Sequence, residues 1–291
     1  MGLVLNTAMF PRPVPPGYAA NEVSFATTGD GRRMAYVVAR PRAGGDPATG
    51  VALLLSHGNA EDLGSVAPAA AHLARALGVT VLSFDYAGYG ASEGDPSEAR
   101  AKADVETAAR IVEHELGFPR DRTVLLGRSL GSGPACHLAA LARREGRPYR
   151  GVALLSPLAS AFHVVLPNRV LGVPLPGDAF RNLDLVRESA GRGLGCPVLV
   201  VHGVEDEVIS VAHGRAIADA VHPRLRADPV FVPRAGHNDV ELRMLERGDP
   251  WERVLRRFLD ACDPASPSFA FPRGVAGVAA QVAGPRLPGS N

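Results

Sequence analysis

Gly127-Arg128-Ser129-Leu130-Gly131 places a serine between two glycines, directly after the apolar run Thr123–Leu126 and directly before a helical stretch. The pattern G-x-S-x-G in that setting forms a nucleophile elbow. A serine on a tight strand-to-helix turn holds its hydroxyl clear of the backbone. Glycines two residues to either side let strand and helix approach closely. The helix N-terminus behind Ser129 favours developing negative charge. The chemistry expected is attack by the Ser129 hydroxyl on a carbonyl carbon.

A serine hydroxyl needs a base, and the base needs an orienting acid. The chain order associated with this elbow is serine, acid, histidine. Val201-His202-Gly203-Val204-Glu205-Asp206-Glu207 and Ala235-Gly236-His237-Asn238-Asp239 each follow an apolar run. Asp206 lies 77 residues after Ser129, and His237 a further 31, which leaves room for the intervening elements. Spacing does not separate Asp206 from Glu205 and Glu207. Among rival bases, His57 precedes the serine, the wrong order, and His202 and His213 are too close to the acid loop to reach back. Acyl transfer also builds charge on the carbonyl oxygen, which requires paired N–H donors. Leu130 N–H is one expected donor. The loop Ser56-His57-Gly58-Asn59-Ala60 is expected to supply the other: Gly58 permits an unusual backbone angle, and Asn59 N–H is the expected donor.

Elements of a particular kind must carry these loops. Apolar runs recur at Met34–Ala39, Val51–Leu55, Val79–Phe84, Thr123–Leu126, Gly151–Leu155, Val198–Val201 and Val230–Val232. Most are apolar at every position, the mark of strands covered on both faces of a parallel sheet. Helical stretches separate them: Val66–Leu77, with Ala69, Leu73 and Leu77 on one face, then Glu98–Leu116, Gly133–Arg144, Val211–Val221 and Val240–Ala261. This alternation predicts a doubly wound, mostly parallel α/β sheet with right-handed crossovers. Ser24–Thr28 is expected to form an antiparallel lead-in. Residues 159–195 break the rhythm with prolines and glycines, and read as a small cap inserted over the ligand crevice.

Composition removes other classes. Thirty-one basic and 30 acidic residues leave a net charge of +1, which argues against holding nucleic acid or an acidic surface by charge alone. Three scattered cysteines fit neither a disulfide framework nor a zinc site, and no metal or cofactor is expected. No stretch approaches the roughly 20 apolar residues of a membrane span. The N-terminus makes a poor signal peptide, so a cytoplasmic location is expected. Tyr86 and Tyr89 are expected to brace their loop, and Arg128 to reach either the pocket mouth or a nearby carboxylate.

Several segments together resemble the α/β-hydrolase domain 17 family of palmitoyl-protein thioesterases. They are His57-Gly58-Asn59-Ala60-Glu61-Asp62-Leu63-Gly64, Phe84 to Gly94 with Pro96-Ser97-Glu98, Ser156-Pro157-Leu158, Asp178-Ala179-Phe180, His202 to Ile209, and Gly236 to Leu242. The resemblance runs from about Pro16 to Leu259. It implies the α/β-hydrolase fold, Ser129 as nucleophile, His237 as base, and Asp206 rather than its glutamate neighbours as acid. It further implies acyl ester or thioester substrates, including S-acylated proteins, with peripheral membrane contact alongside the cytoplasmic location. The family carries a cysteine-rich, lipidated N-terminus, whereas the first 30 residues here hold no cysteine. Residues 21–262 are accordingly expected to form the hydrolase domain. A proline-rich lead-in (1–20) precedes it and a disordered tail (263–291) follows. Two other readings keep the same residues: a carboxylesterase or serine peptidase on small soluble substrates, and a non-catalytic hydrolase-like binding protein. The intact serine, acid and histidine set argues against the second.

Overall fold

A computed structural model describes residues 10–11, 16–41, 50–161, 164, 178–187 and 193–263. Strands β1 (Ser24–Thr27), β2 (Arg33–Ala39), β3 (Ala52–Ser56), β4 (Thr80–Phe84), β5 (Thr123–Arg128), β6 (Gly151–Leu155), β7 (Val198–Gly203) and β8 (Val230–Val232) form one sheet. Their spatial order is β1-β2-β4-β3-β5-β6-β7-β8. Pairings β1–β2 and β2–β4 are antiparallel and all others are parallel. The lead-in hairpin and the parallel body are therefore as the apolar runs predict.

Continuous apolar runs become intelligible once both sheet faces are covered. Along β3, Leu54 packs into one core with Leu82, Leu125 and Leu154. Leu53 and Leu55 point to the opposite core with Val81, Val124 and Leu126. Helices α2 (Glu98–Arg110) and α3 (Ser132–Arg144) contribute to the first core. Helices α1 (Leu63–Leu77) and α7 (Trp251–Ala261) contribute to the second. Each such fully buried Leu or Val contributes about 1.5–3 kcal/mol. Helix α1 starts at Leu63 because the Asp62 carboxylate accepts from Gly64 N and Ser65 N, and it stops at Gly78, whose φ is +66°. Ala70, not Ala69, belongs to its buried face.

Two helix expectations are corrected. Glu98–Leu116 is not uniform: α2 gives way to a π-helical turn, Ile111–Glu115, where Leu116 N donates to Ile111 O. Val240–Ala261 is two helices, α6 (Val240–Glu246) and α7, because Gly248 adopts φ +73° and Pro250 takes the N-cap of α7. Bidentate pairing of Arg257 with Asp249 holds that corner.

Of the expected cap, residues 159–161, 164, 178–187 and 193–195 are described. They include α4 (Asn182–Arg187), where Asn182 Nδ2 donates to Leu158 O and to Ser132 Oγ at the start of α3. The remainder of that segment, residues 1–9 and 12–15 of the lead-in, and residues 264–291 of the tail lie outside the described residues. Helix α5 (Val211–Ala220) follows the acid loop.

Candidate active site

Ser129 stands at the end of β5 with φ +51°, a left-handed conformation that a non-glycine residue adopts at a cost of about 1–3 kcal/mol. Close backbone packing enforces the turn. A Cβ on Gly131 would sit 2.0 Å from Ser56 O, and one on Gly127 would sit 2.6 Å from Gly131 O. The two glycines of the motif are thus required by contact between the elbow, the end of β3 and the start of α3. Ser132 Oγ donates to Ser129 O at 2.6 Å and ties the elbow to its helix.

Parallel strands bring the other loops to the same edge. His237 Nε2 lies 3.1 Å from Ser129 Oγ, and His237 Nδ1 lies 2.7 Å from Asp206 Oδ2. A carboxylate only accepts, so Nδ1 carries the proton and Nε2 is left to accept from Ser129. All three residues are buried yet not sealed, at 7–8% exposure. Asp206 Oδ1 accepts from Val208 N at 3.0 Å and Ile209 N at 2.7 Å. Burial would push the Asp206 carboxyl up. Hydrogen bonds from His202, His237 and Ile209 N–H outweigh it and hold the group well below the usual carboxylate range.

Geometry separates the three candidate acids. Glu205 is exposed, and the Glu207 carboxylate accepts the backbone N–H of His237 at 3.2 Å. Asp206 alone meets the imidazole.

The rival histidines have other partners. His57 is buried, with Nδ1 2.8 Å from Gly58 O and Nε2 3.3 Å from Asp85 Oδ1. His213 Nδ1 accepts from Ala159 N at 3.0 Å. His202 was set aside as a base, and its part in the site has no counterpart in the sequence reading. Its Nε2 donates to Ile209 O at 2.8 Å and lies 3.1 Å from Asp206 Oδ2. Gly214 leaves room for that ring, since a Cβ there would lie 2.5 Å from His202 Nδ1. The signal available was the dipeptide His202-Gly203 ending a buried strand, four residues before the acid.

The loop after β3 differs from expectation in one respect. Gly58 is not in the left-handed region; Ala60, with φ +59°, carries the unusual angle. Gly58 is needed for close approach, because a Cβ there would lie 2.7 Å from Glu61 Oε2 and 3.7 Å from Ser129 Cβ. Tyr86 OH donates to His57 O at 2.7 Å and Tyr89 OH to Asn59 Oδ1 at 2.6 Å, so both tyrosines brace this loop. Leu130 directly follows Ser129, and Asn59 directly follows Gly58, whose Cβ position lies 3.7 Å from Ser129 Cβ. Arg128 reaches a carboxylate, with Nη1 2.9 Å from Glu61 Oε1, and its Nη2 donates to Asn238 Oδ1 at 3.3 Å. Among the described residues, no helix is long and apolar enough to cross a membrane, and no group of three or more His, Cys, Asp or Glu could hold a metal ion.

Residues 48–193 match the family described as serine aminopeptidase, S33. That match takes in the Asn59 loop and the elbow and ends before Asp206. The human α/β hydrolase domain-containing protein 17B is 36% identical over 230 residues, which are 78% of this chain and 74% of that protein. The chain belongs to the α/β-hydrolase domain 17 family. The Caenorhabditis elegans α/β hydrolase domain-containing protein aho-3 is also 36% identical, over 241 residues, and here the match spans 82% of this chain and 65% of that protein. Solved structures place the domain 17 family sheet among α/β hydrolases. An esterase from Pyrococcus furiosus aligns over 86% of this chain and 97% of its own, with a TM-score of 0.61 and 15% identity. An esterase from a Rhodococcus species aligns over 83% and 99%, with a TM-score of 0.57 and 20% identity. At those identities the likeness carries the fold alone. The eight-stranded, mostly parallel sheet of this domain 17 family member is the α/β-hydrolase fold.

Proposed function

We propose that this chain is a serine hydrolase that cleaves acyl esters or thioesters through an acyl-enzyme, with palmitoyl groups on protein cysteines as its substrate class. The observation that carries the reading is the relay Ser129 Oγ–His237 Nε2 at 3.1 Å and His237 Nδ1–Asp206 Oδ2 at 2.7 Å. His237 Nε2 takes the hydroxyl proton as Ser129 Oγ bonds to the carbonyl carbon. Asp206 keeps the productive tautomer and stabilises the imidazolium. Asn59 N–H and Leu130 N–H hold the oxyanion of the tetrahedral intermediate. Collapse breaks the carbon–oxygen or carbon–sulfur bond, and His237 returns the proton to the leaving group. Water, activated by the same imidazole, then frees the acid and restores Ser129.

The resemblance of the His57–Gly64, Phe84–Gly94 and Gly236–Leu242 segments to palmitoyl-protein thioesterases supports the thioester end of this range. The serine aminopeptidase description of the matching family favours a second reading, hydrolysis of small esters or peptides. Matched C2, C8 and C16 thioesters, an S-palmitoyl peptide and an aminoacyl anilide separate the two. The first reading expects kcat/KM to rise with chain length and to persist on the S-palmitoyl peptide. Turnover confined to C2 substrates or to the anilide would overturn it.

A further inference from the structure

Glu61 and Arg128 form an ion pair beside the nucleophile that the relay does not use. The two side chains are each 25% exposed, so the pair is half-screened rather than free in water. Glu61 Oε2 accepts Gly58 N–H at 2.6 Å, which fixes the His57–Gly58 peptide, one unit before the peptide that carries Asn59 N–H. Glu61 Oε1 meets Arg128 Nη1 at 2.9 Å, and Arg128 directly precedes Ser129. The second arm of the guanidinium reaches Asn238, directly after His237. One carboxylate and one guanidinium thereby join the loops of the oxyanion donor, the nucleophile and the base.

The arrangement has an electrostatic cost. A Cβ at Gly58 would lie 2.7 Å from Glu61 Oε2 and so displace that carboxylate, and the same position lies 3.7 Å from Ser129 Cβ. A bare carboxylate at that place opposes negative charge developing on a substrate carbonyl. An arginine paired to it offsets the repulsion, and charge-assisted contacts of this kind are short and directional.

We infer that Glu61 and Arg128 are positioning residues for the proposed hydrolysis: Glu61 holds the His57–Gly58 peptide that leads into Asn59, and Arg128 neutralises Glu61 so that the oxyanion is tolerated. The inference rests on the serine-hydrolase reading above. It has a consequence that mere structural support lacks. Arg128→Met leaves Glu61 uncompensated, whereas Glu61→Gln keeps an acceptor for Gly58 N–H and removes the charge.

The test is steady-state kinetics on a p-nitrophenyl ester, together with inhibition by an alkyl boronic acid that mimics the tetrahedral intermediate. Arg128→Met is expected to lower kcat about 100-fold with KM within about twofold. Adding Glu61→Gln to Arg128→Met is expected to recover about tenfold of that loss, a non-additive result. Boronate affinity should fall and recover in parallel with kcat. Additive losses in the double variant, or a change confined to KM, would overturn the inference. If Arg128→Met does not fold, Arg128→Lys decides in its place: it keeps the charge, so kcat within about fivefold of the parent is expected, and a 100-fold loss counts against. Ser129→Ala run alongside separates the two levels. Turnover by Ser129→Ala within about tenfold of the parent removes the serine-hydrolase reading itself; a loss of about 10⁴ or more in Ser129→Ala with additive Arg128 and Glu61 losses removes only the charge-offset role.

Discussion

Two buried histidine–aspartate pairs follow the carboxyl ends of neighbouring parallel strands, His57 with Asp85 after β3 and β4, and His237 with Asp206 after β8 and β7. They share residue types and both are shielded from solvent. Their second nitrogens differ. His237 turns Nε2 to the Ser129 hydroxyl, an acidifiable proton donor. His57 turns Nδ1 to the Gly58 carbonyl, which has no proton to give. Asp85 also accepts from Leu63 N at 3.0 Å and from Tyr18 OH, so it serves the backbone and the lead-in segment rather than a relay. The comparison shows that a histidine–carboxylate pair becomes a catalytic base through the partner of its other nitrogen. Without a nucleophile there, the same pair is scaffold.

Substitutions can break that contrast in order of expected size. Ser129→Ala should remove ester hydrolysis by on the order of 10⁴–10⁶ in kcat and abolish labelling by a fluorophosphonate probe. Labelling at full intensity would falsify the assignment of the nucleophile. Asp206→Asn should cost on the order of 10⁴ in kcat, because an amide no longer selects the Nδ1–H tautomer of His237. Its thermal midpoint should move far less than its rate. His57→Gln reverses the pattern: a buried donor loses its fit, about 1–3 kcal/mol of stability is lost, and the midpoint falls by several degrees. Its kcat should drop about 10–100-fold, through the displaced Asn59 loop. If instead it keeps its midpoint and loses activity as deeply as the Asp206 variant, the scaffold assignment fails.

A smaller effect is expected at His202. Replacement by Phe removes one hydrogen bond from the carboxylate that steers His237, which should lower kcat about tenfold at unchanged KM. Asp206 gives a pH test with a definite sign. Its folded carboxyl titrates below its unfolded value, so its contribution to stability is complete above the ordinary carboxylate range. That contribution is lost as pH falls from that range through the depressed folded value. His202→Phe weakens the depression. Acid unfolding of that variant, followed by far-UV circular dichroism, should therefore begin at higher pH than in the parent, and an unchanged onset would count against His202 acting on Asp206.

The relay was legible because each member carries its own local signal. Ser129 sits in G-x-S-x-G, and Asp206 and His237 follow buried strands in the right order. The strands were legible because a strand covered on both faces is apolar at every position, as at Ala52–Leu55 and Val198–Val201. Other features left no such local trace. Gly58 reads as a residue needed for its backbone angle, yet the positive φ falls on Ala60, and what lies close to Gly58 is the Glu61 carboxylate. Val240–Ala261 looked like one helix because apolar spacing resumes after Gly248 and Pro250. The pairing of Glu61 with Arg128 joins residues 67 apart in the chain, and the role of His202 depends on how the acid loop folds back over its ring.

Residue identity and order settled the class of chemistry and the layered sheet, since both rest on interactions within a strand, a turn or one face of a helix. Spacing left Glu205, Asp206 and Glu207 equivalent, and separated His237 from His57 only by order and from His202 and His213 only by their closeness to the acid loop. Those choices belong to the folded chain. Hydrogen bonds act over about 3 Å, and parallel pairing of β3, β5, β7 and β8 decides which loops come within that reach. The tertiary structure alone gave Asp206 the imidazole of His237, gave Asp85 that of His57, and set Arg128 between Glu61 and Asn238.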